Sequence, residues 1–121
     1  MKPLLTHTKA LADNNRLRIL AALIRENELC VCQITDMLAL AMPTITRHMG
    51  LLVRGGFAVS RRQGRWVHYR LSERARTGDL RLLLVWMKPL LKNDPLIRKD
   101  AVLLKRIIKD RPAPRECSPN D

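Results

Sequence analysis

The hydrophobic pattern of the chain changes its period near residue 55, and this change restricts the possible folds more than any other feature. Residues 43–54 place four apolar side chains on one helical face, namely Ile45, Met49, Leu52 and Val53. Gly55 and Gly56 then end the predicted helix. Beyond them, apolar and polar residues alternate over 57–60 and again over 66–71. The basic segment 61–65 contains Gly64 for a tight turn, so the pattern predicts a β-hairpin with a basic tip.

A second short helix is predicted directly before this segment, over residues 31–40. The turn at Ala41-Met42 is tight, and Pro43 suits the first position of the following helix. Two short helices joined in this way form a helix-turn-helix, and the hairpin after it makes a winged helix. Further helices are predicted over residues 3–12, 16–25, 79–87 (ending near Pro89) and 95–108. The predicted fold class is therefore mainly α with a β-hairpin wing, in one domain over residues 1–110, followed by a flexible Pro-rich tail over residues 111–121.

The charge of the chain indicates a polyanionic partner. Its 121 residues include 23 Lys and Arg against 11 Asp and Glu, for a net charge of +12. Nucleic acid is the first candidate and an anionic membrane surface the second. No stretch contains the ~18 apolar residues that a membrane-crossing helix needs. The first residues also lack the continuous apolar core of a signal peptide, so we expect a cytoplasmic protein.

The helix over residues 43–54 has a polar face that suits DNA. Thr44, Arg47 and His48 are predicted to share the face opposite the apolar one, with Thr46 beside them. Their side chains can contact base edges and phosphates, and the start of the second helix is where a recognition helix enters the major groove. From position 43 to 76 there are eight arginines and one acidic residue. A solvated basic face would also explain such a run, but here the run coincides with the helix and the hairpin tip. The wing residues expected to contact DNA are Arg61, Arg62, Gln63 and Arg65.

Two of the three cysteines, Cys30 and Cys32, lie two residues apart at the start of the helix over residues 31–40. They could be buried structural residues, half of a zinc site, or redox-active thiols, although the spacing is not that of thioredoxin. A thiolate is stabilised at the N-terminus of a helix and selects soft ions. On a regular helix these positions are ~200° apart, so one ion can gather both sulfurs only where the backbone is non-helical. A ligand that reshapes this helix would move the DNA-reading helix after it.

Four segments together resemble the ArsR/SmtB family of metal-responsive winged-helix repressors, in its arsenite-responsive branch. They are LADNNRLRILAAL (residues 11–23), ELCVCQI (28–34), PTITRHMGLLVRGGF (43–57) and RRQGRWVHYRLS (61–72). The resemblance implies a homodimer that binds double-stranded operator DNA and is released when As(III) or Sb(III) binds thiolates. It implies that Cys30 and Cys32 are the ligands and that residues 3–12 and 95–108 form the dimer interface. No organic cofactor and no enzymatic activity are expected.

The chain departs from this branch at one ligand position. Thr35 stands where a third cysteine often occurs, so the third ligand is either Cys117 or a water or small thiol. Residues 72–92 contain no histidine, and the zinc site of other relatives is therefore not expected. The same cysteines could instead sense Cd(II), Pb(II) or thiol oxidation. Two further alternatives are a small thiol oxidoreductase and a winged helix that binds protein, with inert cysteines.

Overall fold

The computed structural model describes residues 1–110, which contain seven helices and three strands. In chain order these elements are α1 Lys2–Leu11, α2 Asn14–Arg25, β1 Leu29–Cys30, α3 Val31–Leu38, α4 Met42–Arg54, β2 Ala58–Gln63, β3 Trp66–Leu71, α5 Glu73–Arg76, α6 Arg81–Lys92 and α7 Pro95–Asp110. The predicted tail over residues 111–121 and Cys117 lie outside the described residues. None of the seven helices is both long enough and apolar enough to cross a membrane.

The predicted helix-turn-helix is confirmed as α3 and α4. Ala39 ends α3 in the left-handed region, with φ 55°, and its N–H donates to the Thr35 carbonyl. This conformation turns the chain sharply, although it strains a residue that has a Cβ. Helix α4 starts at Met42, so Pro43 is its second residue rather than its first.

The predicted wing is confirmed as an antiparallel hairpin, with β2 and β3 in register from the Ala58–Leu71 pair to the Gln63–Trp66 pair. Gly64 makes the turn at a φ of 62°. The sequence did not predict β1, which pairs with the other edge of β3 and gives the sheet the order β1-β3-β2. Through this strand, the segment before α3 joins the same sheet as the wing.

The core lies between the helices and one face of the sheet. Its fully buried side chains include Ile19 and Leu20 of α2, Ile34 of α3, Ile45 and Met49 of α4, and Leu104 of α7. Helix α7 packs on α2 and α3, and the Arg18–Asp100 ion pair joins it to α2.

Two helices after the wing differ from the prediction. Four residues, Glu73–Arg76, form the short helix α5. Helix α6 was predicted to begin at residue 79 and to end near Pro89, but it continues through Pro89 to Lys92. A proline removes the hydrogen bond to the carbonyl four residues earlier, here that of the exposed residue Val85. The Pro89 carbonyl still accepts the Asn93 N–H at 3.1 Å, so the helix is completed beyond the proline.

Candidate DNA-binding surface and thiol site

The outer face of α4 presents polar side chains because its inner face is held by the core. Ile45, Met49 and Leu52 are fully buried. Thr46 and Arg47 are exposed and Thr44 is half-buried, as the helical pattern predicted. Of the four α4 residues expected to contact DNA, three therefore reach the surface at the start of the helix.

His48 differs from its expected position, and the prediction that it shares the exposed face of Arg47 is wrong. It is only 8% exposed. Its Nδ1 lies 3.0 Å from Nη1 of Arg16, whose Nε and Nη2 donate to the carbonyls of Ala10 and Lys9. Burial lowers the pKa of His48, Asp13 opposes that shift, and the positive charges of Arg16 and Arg47 add to it. A neutral His48 accepts from Arg16 and thus fixes α4 against α2.

The wing brings its four predicted residues to one end of the hairpin, but it holds the three arginines differently. Arg62 and Arg65 are exposed, and Arg65 lies over the Trp66 ring at 5.3 Å from its centroid. Arg61 is held on both edges of its guanidinium group. Its Nε and Nη2 donate to the two Glu28 carboxylate oxygens at 2.8 and 2.7 Å, and its Nη1 donates to Oε1 of the half-buried Gln63 at 3.3 Å.

Sequence reasoning missed Glu28 as a partner of the wing. Glu28 precedes β1, whereas Arg61 lies on β2, with β3 between the two strands. The hydrogen bonds from Arg61 lower the pKa of the Glu28 carboxyl group, so the pair is ionised at neutral pH. The signal that could have revealed it is the acidic residue itself, two positions before Cys30 in a chain with a net charge of +12.

The two cysteines lie on either side of the boundary between β1 and α3. Cys30 is extended, with φ −70° and ψ 148°, and is the N-cap of α3. Its Sγ accepts the Cys32 N–H at 3.4 Å, and its own N–H donates to Oε1 of Gln33 at 3.0 Å. This reciprocal arrangement is a capping box with sulfur in place of the usual hydroxyl group. The prediction that Cys32 lies in the first turn of the helix is confirmed.

The donor set at this boundary suits a soft ion. Because Cys30 is extended and only Cys32 is helical, the two sulfurs are not constrained to opposite sides of one helix. Cys30 is completely buried and Cys32 is half-buried, so entry of an ion requires the first turn of α3 to move. Within residues 1–110 there is no group of three or more His, Cys, Asp or Glu side chains that could hold a metal.

His68 lies directly across the sheet from Cys30. The two residues are register partners between β1 and β3, and Arg61 is the partner of His68 on the other side. His68 is 2% exposed, and burial lowers its pKa. It is a packing residue of the strand.

Apolar side chains remain exposed on three helices outside the DNA-facing surface, among them Val102 of α7. Leu4 and Leu5 of α1 are 60% and 46% exposed. Leu82, Trp86 and Leu90 of α6 are also exposed, at 73%, 65% and 59%. The resemblance implied a dimer interface over residues 3–12 and 95–108, and it did not include α6. One face of α7 is buried against α2 and α3 of its own chain, whereas Val102 and Leu103 of the same helix remain 67% and 38% exposed.

Residues 13–58 match the sequence profile of a family described as bacterial regulatory protein, arsR family. An arsenic resistance transcriptional regulator of Pseudomonas putida is 48% identical over 63 residues, which cover 52% of this chain and 49% of the relative. The arsenical resistance operon repressor of Escherichia coli is 48% identical over 53% of this chain and 55% of its own. A cadmium resistance transcriptional regulatory protein of Listeria innocua is 39% identical over 50% of this chain and 51% of its own. The chain thus spans about half the length of these curated relatives.

Solved structures share the fold. HlyU from Vibrio cholerae superimposes with a TM-score of 0.57 at 30% identity, over 69% of this chain and 88% of that chain. A homodimeric winged helix-turn-helix DNA-binding domain from Mycobacterium bovis superimposes with a TM-score of 0.58 at 27% identity. The match covers 71% of this chain and 81% of that chain. The antimony-specific transcriptional repressor AntR superimposes with a TM-score of 0.53 at 26% identity. The match covers 72% of this chain and 80% of that chain.

These relatives are transcriptional regulators, in agreement with the prediction that the chain is not an enzyme. The profile match coincides with α2 to α4, including both cysteines and the recognition helix. HlyU extends the similarity to 69% of this chain and to most of a relative's length. The chain therefore belongs to the arsR family of bacterial regulatory proteins.

Proposed function

We propose that this chain is a transcriptional repressor that binds operator DNA as a homodimer and releases it when As(III) or Sb(III) binds the thiolates of Cys30 and Cys32. The observation that carries the proposal is the capping hydrogen bond from the Cys32 N–H to Cys30 Sγ, at the start of a helix that packs against α4. The arsenic resistance regulators among the relatives and the antimony-specific repressor support the choice of ion.

DNA binding rests on the outer face of α4 and on the wing. Thr46 and Arg47 project from the start of α4, where a recognition helix contacts base edges. Arg62 and Arg65 extend the positive surface to the hairpin tip, where arginines contact phosphates or the minor groove. His48 contributes by fixing the orientation of α4 rather than by contacting a base.

Release follows from a competition for the sulfur of Cys30. When bound, the ion supplies a soft acceptor for two thiolates, and both thiols lose their protons to solvent. Cys30 then no longer accepts the Cys32 N–H, and the first turn of α3 must move so that the ion can enter between the buried Cys30 and the half-buried Cys32. Because α3 packs against α4, this rearrangement changes the orientation of the recognition helix. A coupling free energy of about 1–3 kcal/mol would weaken operator binding roughly 5- to 150-fold.

A second copy of the chain would cover the exposed apolar side chains. Leu4 and Leu5 of α1 and Leu82 and Trp86 of α6 are too exposed to stabilise an isolated monomer. The homodimeric relative from Mycobacterium bovis supports this assembly. Two recognition helices would then reach successive major grooves of one duplex.

The test is an operator-binding titration with a duplex selected from a random library by its affinity for the wild-type chain. Wild type is expected to release this duplex on addition of As(III) or Sb(III). Cys30→Ser and Cys32→Ser should bind the duplex as wild type does but no longer release it. Serine at position 30 preserves the capping acceptor, so this variant keeps the start of α3 and removes only the sulfur. Cys117→Ser in the same titration tests the candidate third ligand.

The outcomes of this titration are distinct. If both serine variants are still released by As(III), the two cysteines are not the ligands. If Cys117→Ser also loses release, the third ligand comes from outside the described residues. If wild type selects no duplex, the chain is not a DNA-binding repressor.

A second candidate ion is Cd(II). The cadmium resistance regulator of Listeria innocua shares 39% identity with this chain, and thiolates bind Cd(II) as they do As(III). The same titration with Cd(II), As(III) and Zn(II) decides between them. Release at lower free concentrations of Cd(II) than of As(III) would favour the cadmium alternative.

A further inference from the structure

Three residues form a row across the sheet from the thiol site to the wing. Cys30 on β1, His68 on β3 and Arg61 on β2 are successive register partners. Adjacent strands are about 4.8 Å apart, so the backbones of Cys30 and Arg61 are separated by about 10 Å. The side chains of Glu28 and Arg61 together bridge the sheet and meet through two hydrogen bonds.

Arg61 is the most constrained of the three wing arginines. Its Nε and Nη2 bind both Glu28 oxygens, and this bidentate geometry is a strong form of the arginine–carboxylate interaction. Its Nη1 donates to Gln63. By contrast, Arg62 donates a single long hydrogen bond, 3.4 Å, to the Gly64 carbonyl. Arg65 has a ring contact with Trp66.

We propose that Glu28 is a positioning residue that holds Arg61 against the sheet and withholds its charge from DNA phosphates. The phosphate contacts of the wing then come from Arg62 and Arg65. This inference rests on the proposed function, since it concerns which residues of that surface meet DNA. It also reassigns Arg61, which sequence reasoning had grouped with the DNA contacts.

The physical reason is a balance of charge. An arginine paired with a carboxylate adds no net charge to the surface, so it displaces little of the counterion atmosphere of DNA. For Arg61 to reach a phosphate, it would first have to leave two short charge-assisted hydrogen bonds. Without the Glu28 charge, the guanidinium group becomes available as one additional phosphate contact.

The test is the salt dependence of operator binding. Each phosphate contact adds about −0.9 to the slope of log K against log[salt]. Arg62→Gln should make the slope shallower by about 0.9, and Arg61→Gln should change it by less than half as much. Glu28→Gln should make it steeper by about 0.9 and increase affinity. The double variant with Glu28→Gln and Arg61→Gln should lose that gain.

Asp79→Asn is the matched control. Asp79 forms an equally bidentate pair with Arg74, at 2.9 and 2.8 Å, outside the recognition helix and the wing. Removal of the Asp79 charge should leave the slope of log K against log[salt] as in wild type. If Asp79→Asn steepens the slope as much as Glu28→Gln, the gain comes from net charge alone and the inference is wrong.

A measurement without DNA separates this inference from the proposed function. The Nε proton of Arg61 should exchange slowly with solvent in the wild-type chain and rapidly in Glu28→Gln, as observed by NMR. Fast exchange in wild type would overturn the inference on its own, as would equal slope changes for Arg61→Gln and Arg62→Gln. If the wild-type chain shows no salt-dependent duplex binding, the proposed function fails, and the inference fails with it even where exchange is slow.

Discussion

Two arginine–carboxylate pairs of this chain have nearly the same geometry but different surroundings. Arg18 and Asp100 meet with Nε–Oδ2 at 2.8 Å and Nη2–Oδ1 at 2.9 Å. Arg61 and Glu28 meet at 2.8 and 2.7 Å. The side chains of the first pair are 17% and 8% exposed, whereas those of the second are 47% and 27% exposed.

The difference in burial assigns the two pairs different roles. The Arg18–Asp100 pair joins α2 to α7 within the protein, and either charge would be costly to leave there without its partner. The Arg61–Glu28 pair lies at the surface, where water and phosphate can replace either partner. Equal hydrogen-bond lengths therefore do not indicate equal contributions to stability.

The largest effect is expected at the buried pair. Asp100→Ala should lower the free energy of unfolding by about 3–5 kcal/mol, since it leaves the Arg18 charge without a partner in the interior. Chemical denaturation measures this change, with Asp110→Asn at the exposed end of the same helix as the control. Arg18→Met combined with Asp100→Leu should recover most of the loss, because an apolar pair leaves no buried charge. A loss below about 1 kcal/mol for Asp100→Ala would show that the interior charge is not costly.

A smaller effect is expected at His48, a buried histidine whose Nδ1 lies against the half-buried Arg16. Burial lowers the pKa of His48, so the unfolded chain binds a proton at this residue before the folded chain does. Stability should therefore fall as pH decreases below about 6.5, by no more than about 1.4 kcal/mol per pH unit for this group. Denaturation between pH 7 and 5 tests this, and His48→Gln should reduce the dependence. The pKa of His68 is lowered in the same direction, so part of the dependence should remain.

The smallest effect is expected at the exposed pair. Glu28→Gln should leave the denaturation midpoint within error of wild type, because exposed ion pairs add little to stability. The same variant is expected to alter the salt dependence of DNA binding, so stability and binding would separate. A clear fall in the midpoint would show that this pair stabilises the sheet rather than adjusting the charge of the wing.

Much of the fold could be predicted because the period of the apolar residues is strong where the elements are long. The recognition helix and the hairpin are both read from this pattern. The two-residue strand β1 could not be, since two residues define no period and only the pairing with β3 reveals it. The end of helix α6 was predicted too early because a proline usually stops a helix. Here the helix continues past Pro89, and the Pro89 carbonyl accepts the N–H of Asn93 one turn later.

The candidate site was predicted less completely, because side-chain contacts over long sequence distances have no local pattern. The helical period placed His48 on the exposed face with Arg47. In the structure His48 is buried, and its Nδ1 contacts Arg16, 32 positions earlier. Glu28 and Arg61 are separated by 33 positions. The cysteine pair and the position of Cys32 in the first turn of α3 were apparent from the sequence, but the hydrogen bond from the Cys32 N–H to Cys30 Sγ was not.

The sulfur that caps α3 has a consequence for how quickly the proposed ligand would reach its site. Sulfur accepts hydrogen bonds weakly, so a serine at position 30 would anchor the amide of Cys32 more firmly. The present residue leaves the beginning of α3 prone to transient fraying. Each such opening would present a deeply enclosed thiol to passing solutes, and the frequency of opening would then limit the speed of detection.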